Sequence, residues 1–125
     1  MVSNDTASCV LVIGRTAPAD DAGVAYVAVL TNAGALELLK LLQVDLLVAT
    51  AADPMPLMLF AARMRKVSPW QRWLLTGPDL TDQDEVTARC NGALAVIDCP
   101  GDWSEIQAIA ARVGRRTREL VAANV

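Results

Sequence analysis

Five short apolar segments alternate with longer segments of helical periodicity, and this alternation restricts the fold more than any other feature of the chain. The apolar segments are residues 9–14, 26–30, 46–49, 73–76 and 93–97. None shows the strict alternation of apolar and polar residues that is typical of a half-exposed antiparallel strand. Strands that are buried on both faces and separated by helices predict a parallel sheet, built from right-handed βαβ units and covered by helices on both sides.

The segments between and after the strands predict the helices. Four helices are expected, over residues 33–43, 53–66, 81–90 and 102–120. Asp53 followed by Pro54 indicates an N-cap and a first helical residue for the second of them. The connection between the first two strands, residues 15–24, is shorter than the dozen or so residues that a crossover with a full helix needs. The helix at that place is therefore expected to be short or missing.

The composition limits the number of domains and excludes several kinds of chemistry. With 125 residues, 54% of them hydrophobic, the chain is expected to form one domain over residues 1–125, with an ordered core over residues 8–122. The sequence contains no histidine, which excludes Ser-His and Cys-His nucleophilic sites and the usual zinc sites that contain histidine. Three cysteines, with neither a signal peptide nor an apolar run of membrane-spanning length, predict a cytoplasmic protein without a disulfide framework. The net charge of −3 argues against a membrane or nucleic acid as partner.

The order and spacing of several short motifs resemble those of a known family. Pro54 follows Thr50 by four residues, residues 73–77 read WLLTG, and Gly92 with its following alanine precedes Cys99 and a proline. In this order the motifs resemble the receiver domain of bacterial two-component response regulators, over most of the chain. The resemblance implies a flavodoxin-like α/β fold, with a five-stranded parallel sheet in the order 2-1-3-4-5. Residues 63–69 look most like receivers attached to hydrogenase-type or HD-type phosphodiesterase regulators.

The resemblance also implies a phosphorylation pocket, and most of its chemical groups are replaced in this chain. The residues that fall in the pocket are Gly14, Arg15, Thr50, Thr76 and Cys99. The acidic pair that holds Mg²⁺ in a receiver falls at Gly14 and Arg15, or at Ile13 and Gly14, and neither choice supplies a carboxylate. The phosphoacceptor aspartate falls at Thr50, and the lysine that pairs with the phosphoryl group falls at Cys99. The resemblance is therefore to a degenerate pseudo-receiver that lacks the phosphoacceptor aspartate.

A pseudo-receiver is expected to be a signalling domain and not an enzyme, with no metal ion and no cofactor. It would act independently of phosphorylation, through a protein partner, an attached output domain or a homodimer. Receivers commonly dimerise through the face formed by their fourth helix, fifth strand and fifth helix. The interface candidates on this face are Val96, Trp103, Ile106 and Arg112.

Other readings of the same residues stay open at this point. Arg15 and the hydroxyls of Thr50 and Thr76 could hold a small anion or a nucleotide, which would make the domain a sensor, or the two hydroxyls could bond each other or water. Cys99 would be reactive if its surroundings were electropositive and partly exposed. Four arginines near the end of the last helix complement the helix dipole, and this helix could also continue into an output domain or a partner helix.

Cys9, Arg15 and the threonine after it formally match the loop of cysteine phosphatases. That loop needs small residues, because its backbone N–H groups converge on a phosphate. Residues 10–13 are Val, Leu, Val and Ile, which favour a buried strand instead.

Overall fold

The computed structural model describes residues 8–14, 24–97 and 103–123, with the side chains of the last helix described as far as Val113. Within these residues it has five strands and four helices. In chain order they are β1 Ser8–Ile13, β2 Val24–Val29, α1 Asn32–Leu39, β3 Leu46–Thr50, α2 Leu57–Val67, β4 Trp73–Thr76, α3 Asp82–Cys90, β5 Val96–Ile97 and α4 Ser104–Ala123.

The strands form one sheet in the order β2-β1-β3-β4-β5, and every neighbouring pair is parallel. In β1, Val10 lies beside Tyr26 of β2 and beside Leu46 of β3. At the other end of β3, Thr50 lies beside Thr76 of β4. The flavodoxin-like α/β fold and the strand order predicted from the sequence are confirmed.

The sheet is buried on both faces, which explains why its strands lack alternation. Leu11 and Leu47 belong to a core that includes residues of α1, α2 and α3. The residues next to them, Val10 and Leu46, point to the other face and pack with residues of α4. Because side chains alternate between the faces of a strand, a strand between two helical layers must be apolar at every position.

The start of α2 differs from the sequence prediction. The helix begins at Leu57 after Pro56, and not at Asp53 and Pro54. The Asp53 carboxylate does not cap this helix, because its oxygens accept hydrogen bonds from the backbone N–H groups of Met55 and Asn32, each at 2.9 Å. The prediction of an N-cap at Asp53 was therefore wrong, since the side chain has a better-placed amide on another element.

Two further sequence predictions concern the helices: the short or missing helix between β1 and β2, and the lack of a membrane-spanning segment. The short or missing helix was predicted mostly on residues 15–23, which lie outside the described residues. If that helix is counted, the fourth and fifth helices of a receiver correspond to α3 and α4. In the described part of the chain, no helix has the length and apolar character needed to cross a membrane.

Candidate functional site at the carboxyl edge of the sheet

The ends of three strands bring three of the predicted pocket residues together. Gly14 follows β1, while Thr50 and Thr76 are the last residues of β3 and β4. The carboxyl edge of an open parallel sheet is where ligands bind in folds of this kind, at the point where the strand order reverses. The structure thus places Gly14, Thr50 and Thr76 at one edge, and Arg15 and Cys99 lie outside the described residues.

Gly14 has a backbone conformation that leaves little room for a side chain. Its φ is +74°, in the left-handed region that favours glycine. A Cβ placed on Gly14 would lie 3.2 Å from Cγ2 of Thr50. Its N–H donates to the carbonyl oxygen of Val29 at 2.8 Å, which holds the residue against the end of β2. A carboxylate at position 14 would need both a strained backbone and a displaced Thr50 side chain.

The hydroxyl of Thr50 is engaged with the loop that follows it. Its Oγ1 accepts a hydrogen bond from the backbone N–H of Ala52 at 3.1 Å. This local bond is the usual way in which a threonine stabilises a turn. On the β4 side the hydroxyl faces Gly77, where an added Cβ would lie 3.8 Å from Oγ1. Thr50 is therefore a turn-forming residue, and it has a neutral oxygen at the end of β3, where the resemblance to receivers places the phosphoacceptor.

Thr76 is almost completely buried, with 1% of its surface exposed. Its Oγ1 donates to the carbonyl oxygen of Ala49 at 3.2 Å. The hydroxyls of Thr50 and Thr76 thus bond the backbone, and not each other as one reading of the sequence expected. An anion in this pocket would have to compete with the Ala49 carbonyl for the Thr76 proton.

Asp53 and Asn32 form a second polar group beside the pocket, which sequence reasoning found only in part. The Asp53 carboxylate joins the loop after β3 to the first amide of α1, 21 residues earlier in the chain. The Asn32 side chain is buried, and neither of its polar atoms has a hydrogen-bond partner within the described structure. Thr31, whose hydroxyl accepts from the N–H of Gly34 at 3.1 Å, is the N-cap of α1. The cap pattern that starts at Thr31 is the sequence signal that could have drawn attention to Asn32.

The described residues at this edge do not form an acidic cluster that could bind a metal ion. In residues 8–14, 24–97 and 103–123 no group of three or more acidic or cysteine side chains is arranged to hold a metal ion. The nearest carboxylate named above, that of Asp53, has each oxygen bonded to a backbone amide. The anion-sensing interpretation rests on Arg15 and the reactive-thiol interpretation on Cys99, so both stay predictions.

Cys9 lies at the beginning of β1, at the opposite end of that strand from Gly14. Burial raises the pKa of the Cys9 thiol, and the negative charge of Asp45 raises it further. Asp45 lies close because its carboxylate accepts a hydrogen bond from the Cys9 backbone N–H at 2.8 Å. A raised pKa disfavours the thiolate that a phosphatase nucleophile needs. The Cys9 backbone N–H is not available to a phosphate either, because it already donates to Asp45.

The four interface candidates have different surroundings. Ile106 is 1% exposed and belongs to the core under α4, whereas Arg112 is exposed. Trp103 is half-buried and packs edge-to-face on Tyr26, with ring centroids 5.8 Å apart. Val96 is half-buried in β5. Of the four, Arg112 is the side chain most available to a partner.

Comparison with known sequences finds no match: no protein-family model fits the chain, and no curated protein is significantly similar to it. Comparison of structures finds receiver domains. The beryllofluoride-activated NtrC4 receiver domain dimer is 16% identical, with a TM-score of 0.70 over 86% of this chain and 97% of that one. A CheY-like receiver domain protein from Methanospirillum hungatei is 13% identical, with a TM-score of 0.70 over 90% and 98% of the two chains.

A third similar structure is the signal receiver domain of an HD domain-containing protein from Pseudomonas fluorescens. It is 18% identical, with a TM-score of 0.70, and the match covers 95% of this chain and 96% of that one. At these identities the likeness concerns the backbone and not the pocket residues. The chain has the fold of response regulator receiver domains.

Proposed function

We propose that the chain is a pseudo-receiver, a signalling domain of the two-component response regulator type that acts by protein–protein interaction and without phosphorylation. One observation carries the proposal. The receiver-type sheet has Gly14 at the end of β1 and Thr50 at the end of β3, where phosphorylation needs carboxylates. Absence of enzyme activity and a cytoplasmic location are parts of the same prediction.

The chemistry of Thr50 supports the proposal. Phosphoryl transfer to a receiver forms an acyl phosphate on a carboxylate, and a threonine hydroxyl is neutral and has no such product. The reaction also needs a divalent cation that bridges acceptor and phosphate oxygens. Gly14 has no side-chain carboxylate to offer that cation, and its positive φ disfavours a residue that would have one.

A homodimer through α3, β5 and α4 is the second part of the proposal. On the α4 side this face borders a cleft of about 400 Å³, lined by Arg112 of α4 and by Arg72 and Leu94 of the connections before β4 and β5. Leu94 is 49% exposed, so an apolar side chain is available there beside a charged one. The NtrC4 receiver domain with a similar fold is a dimer. An attached output domain, such as the HD domain of the Pseudomonas fluorescens relative, is an alternative partner for the same face.

Phosphorylation is tested by incubating the protein with acetyl phosphate and Mg²⁺, and separately with beryllofluoride and Mg²⁺. We expect no increase in mass and no change in the amide resonances around Thr50. A receiver domain that has the phosphoacceptor aspartate, treated in the same reaction, is the positive control. A mass increase on this chain, or resonance changes centred on Thr50, would reject the proposal.

The variant Thr50→Asp distinguishes the effect of the absent phosphoacceptor from the effect of the absent metal ligands. It supplies a carboxylate at the end of β3 and leaves position 14 unchanged. We expect it to stay unmodified in the same reactions because no acidic partner at the end of β1 holds the cation. Rapid phosphorylation of this variant would show that the pocket still binds Mg²⁺ productively, contrary to the proposal.

A further inference from the structure

Three large apolar side chains are exposed at the amino edge of the sheet, opposite to the candidate site. Leu41 and Leu42 are 80% and 41% exposed in the connection between α1 and β3, and Trp70 is 85% exposed in the connection between α2 and β4. All three line one cleft of about 510 Å³. An exposed tryptophan beside a cleft is typical of an anchor residue, since it buries a large area and loses little conformational entropy.

A second cleft, of about 270 Å³, lies between α1 and α2 and has basic side chains along it. Lys40 lines both clefts, so that they form one continuous surface. Arg63 and Lys66 also line the second cleft and have no hydrogen-bond or ion-pair partner among the described residues. Leu36 and Met55 contribute apolar surface between the charges.

The few acidic groups along this surface are already engaged. Among the described residues that line the two clefts, the acids are Glu37 and Asp45. Glu37 pairs with Lys40, whose Nζ lies 3.0 Å from Oε2, and Asp45 accepts the Cys9 backbone hydrogen bond. The basic side chains that line the two clefts (Lys40, Arg63, Lys66 and Arg72) outnumber these acids, so the surface has a positive excess although the whole chain has a net charge of −3.

We propose that this basic cleft surface docks an acidic amphipathic helix of a partner protein. The surface is defined by Lys40, Leu41, Leu42, Arg63, Lys66 and Trp70. The apolar side chains of the partner helix would lie against the leucines and Trp70, and its carboxylates would lie against Arg63 and Lys66. The surface lies apart from the carboxyl edge of the sheet, and it meets the cleft beside α4 at Arg72, which lines both. None of the six residues that define the surface lines the cleft beside α4, so the inference goes beyond the proposed function and does not depend on it.

The chemistry of the surface favours a protein segment over other polyanions. An amphipathic helix binds by laying its apolar side into a groove, and two connected clefts supply such a groove. Opposite charges at the rim then select the partner and fix its direction. The exposed leucines and Trp70 favour a partner with an apolar face, which such a helix has and a phosphate backbone lacks.

The first experiment uses a synthetic peptide about five helical turns long, with leucines on one face and glutamates on the other. It is titrated into the isotopically labelled protein, and amide resonances and tryptophan fluorescence are followed. We expect saturable shifts of residues 40–44 and 63–71. A peptide in which every glutamate is replaced by lysine is the control and should shift nothing.

Variants on α2 test whether the charges of the surface are responsible. We expect Arg63→Glu combined with Lys66→Glu to weaken binding of the acidic peptide at least about tenfold, which corresponds to about 1.4 kcal/mol of binding free energy. Arg65→Glu is the control, because it reverses a basic charge on the same helix, with half the charge change of the double variant. The Arg65 side chain reaches instead toward Asn91, with Nη2 2.9 Å from Oδ1, and binding should persist.

Variants of the exposed apolar residues test the other half of the surface. Trp70→Ala and Leu41→Ala should each weaken binding of the acidic peptide, while the circular dichroism spectrum stays unchanged because both side chains are exposed. Leu30→Ala is the control. Leu30 is 88% exposed at the end of β2 and lines neither cleft.

Four outcomes would overturn the inference. These are equal binding of the acidic and basic peptides, shifts away from the basic cleft surface, peptide binding that survives the double charge reversal, and no binding of the acidic peptide.

Two assays then identify what the surface does instead. Sedimentation with phosphatidylserine vesicles that the double variant abolishes would indicate a membrane site. Self-association in ultracentrifugation that the same variant abolishes would indicate a second copy of the chain. Phosphorylation of the wild-type chain would reject the proposed function and leave this inference standing.

Discussion

At the scale of single residues, Gly14 and Thr50 limit the chemistry of the candidate site, because neither has a carboxylate and both have constrained geometry. Gly14 has a positive φ and a threonine methyl group 3.2 Å from where its Cβ would be. The Thr50 hydroxyl is held by a local backbone bond. Restoring the chemistry of a phosphorylated receiver would therefore require a change of backbone at position 14 as well as a change of side chain at position 50.

Gly14→Ala tests this constraint on the backbone. A residue with a Cβ costs about 1–2 kcal/mol in the left-handed region, so we expect the free energy of unfolding in urea to fall by about that much. Gly34→Ala is the matched control, because Gly34 lies within helix α1 and an added Cβ would meet only Thr31 Oγ1, at 3.4 Å. There alanine should stabilise by about 0.5–1 kcal/mol. A neutral result for Gly14→Ala would show that its conformation imposes no cost.

Cys9 and Cys90 should differ in reactivity toward iodoacetamide. The thiolate is the reactive form, and burial together with Asp45 raises the pKa of Cys9, while Cys90 is exposed. We expect Cys90 to be alkylated first near neutral pH, as measured by mass spectrometry of peptides. Because the pKa of Cys9 is raised in the folded protein, the contribution of this thiol to the free energy of unfolding is fully present below the ordinary thiol pKa. It is lost as the pH rises through the raised pKa of the folded state. Faster labelling of Cys9 would contradict the assignment.

At the scale of elements, Asp53 links the connection between β3 and α2 to the start of α1. The loop after β3 is held to the start of α1 by the Asp53 carboxylate and the Asn32 N–H. The same carboxylate also organises its own loop through Met55. Because both bonds are charge-assisted, they should contribute more than neutral hydrogen bonds. This link therefore adds to the core packing of Ala35, Leu36 and Leu39 in holding α1.

Asp53→Ala should lower the free energy of unfolding by about 1.5–3 kcal/mol, because it removes hydrogen bonds to a charged group. Asp82→Ala is the control. Asp82 is exposed in the first turn of α3, and its loss should cost only about 0.3–1 kcal/mol through the helix dipole. Chemical denaturation of the two variants gives the comparison. Equal losses would mean that the link to α1 adds nothing.

At the scale of the whole molecule, three surfaces of the fold can be distinguished. The carboxyl edge carries the candidate site around Gly14 and Thr50, the amino edge carries the basic cleft surface, and α3, β5 and α4 form the proposed dimer face. The amino edge and the cleft beside α4 meet at Arg72, but the residues substituted on each surface, such as Arg63 and Arg112, line different clefts. A substitution of either residue should therefore leave the other surface intact.

Arg112→Glu should disrupt the proposed homodimer, because it reverses an exposed charge beside the half-exposed Leu94. We expect light scattering after size exclusion to show a dimer for the wild-type chain and a smaller mass for the variant. Arg63→Glu, which makes the same charge change on α2, is the control and should stay dimeric. A wild-type chain that is monomeric at every concentration would contradict the dimer.

The sequence by itself determined the class of the fold, and the expectation of missing carboxylates came from the resemblance to receivers. Strands between two helical layers must be apolar throughout, so their positions and the parallel sheet could be predicted from periodicity. Gly14 and Thr50 could be placed at strand ends for the same reason. The strand order came from the resemblance to receivers, and the parallel pairings then confirmed it.

Only the tertiary structure decided what the polar side chains bond to. Asp53 looked like a helix cap because capping is a local pattern, yet its carboxylate reaches an amide 21 residues away. The Thr76 hydroxyl bonds the Ala49 carbonyl because the sheet places β3 beside β4, 27 residues apart in the chain. Leu41 and Trp70 meet at one cleft because parallel strands bring the connections that precede them to the same edge. Such contacts depend on the folded path of the chain, and no local pattern encodes them.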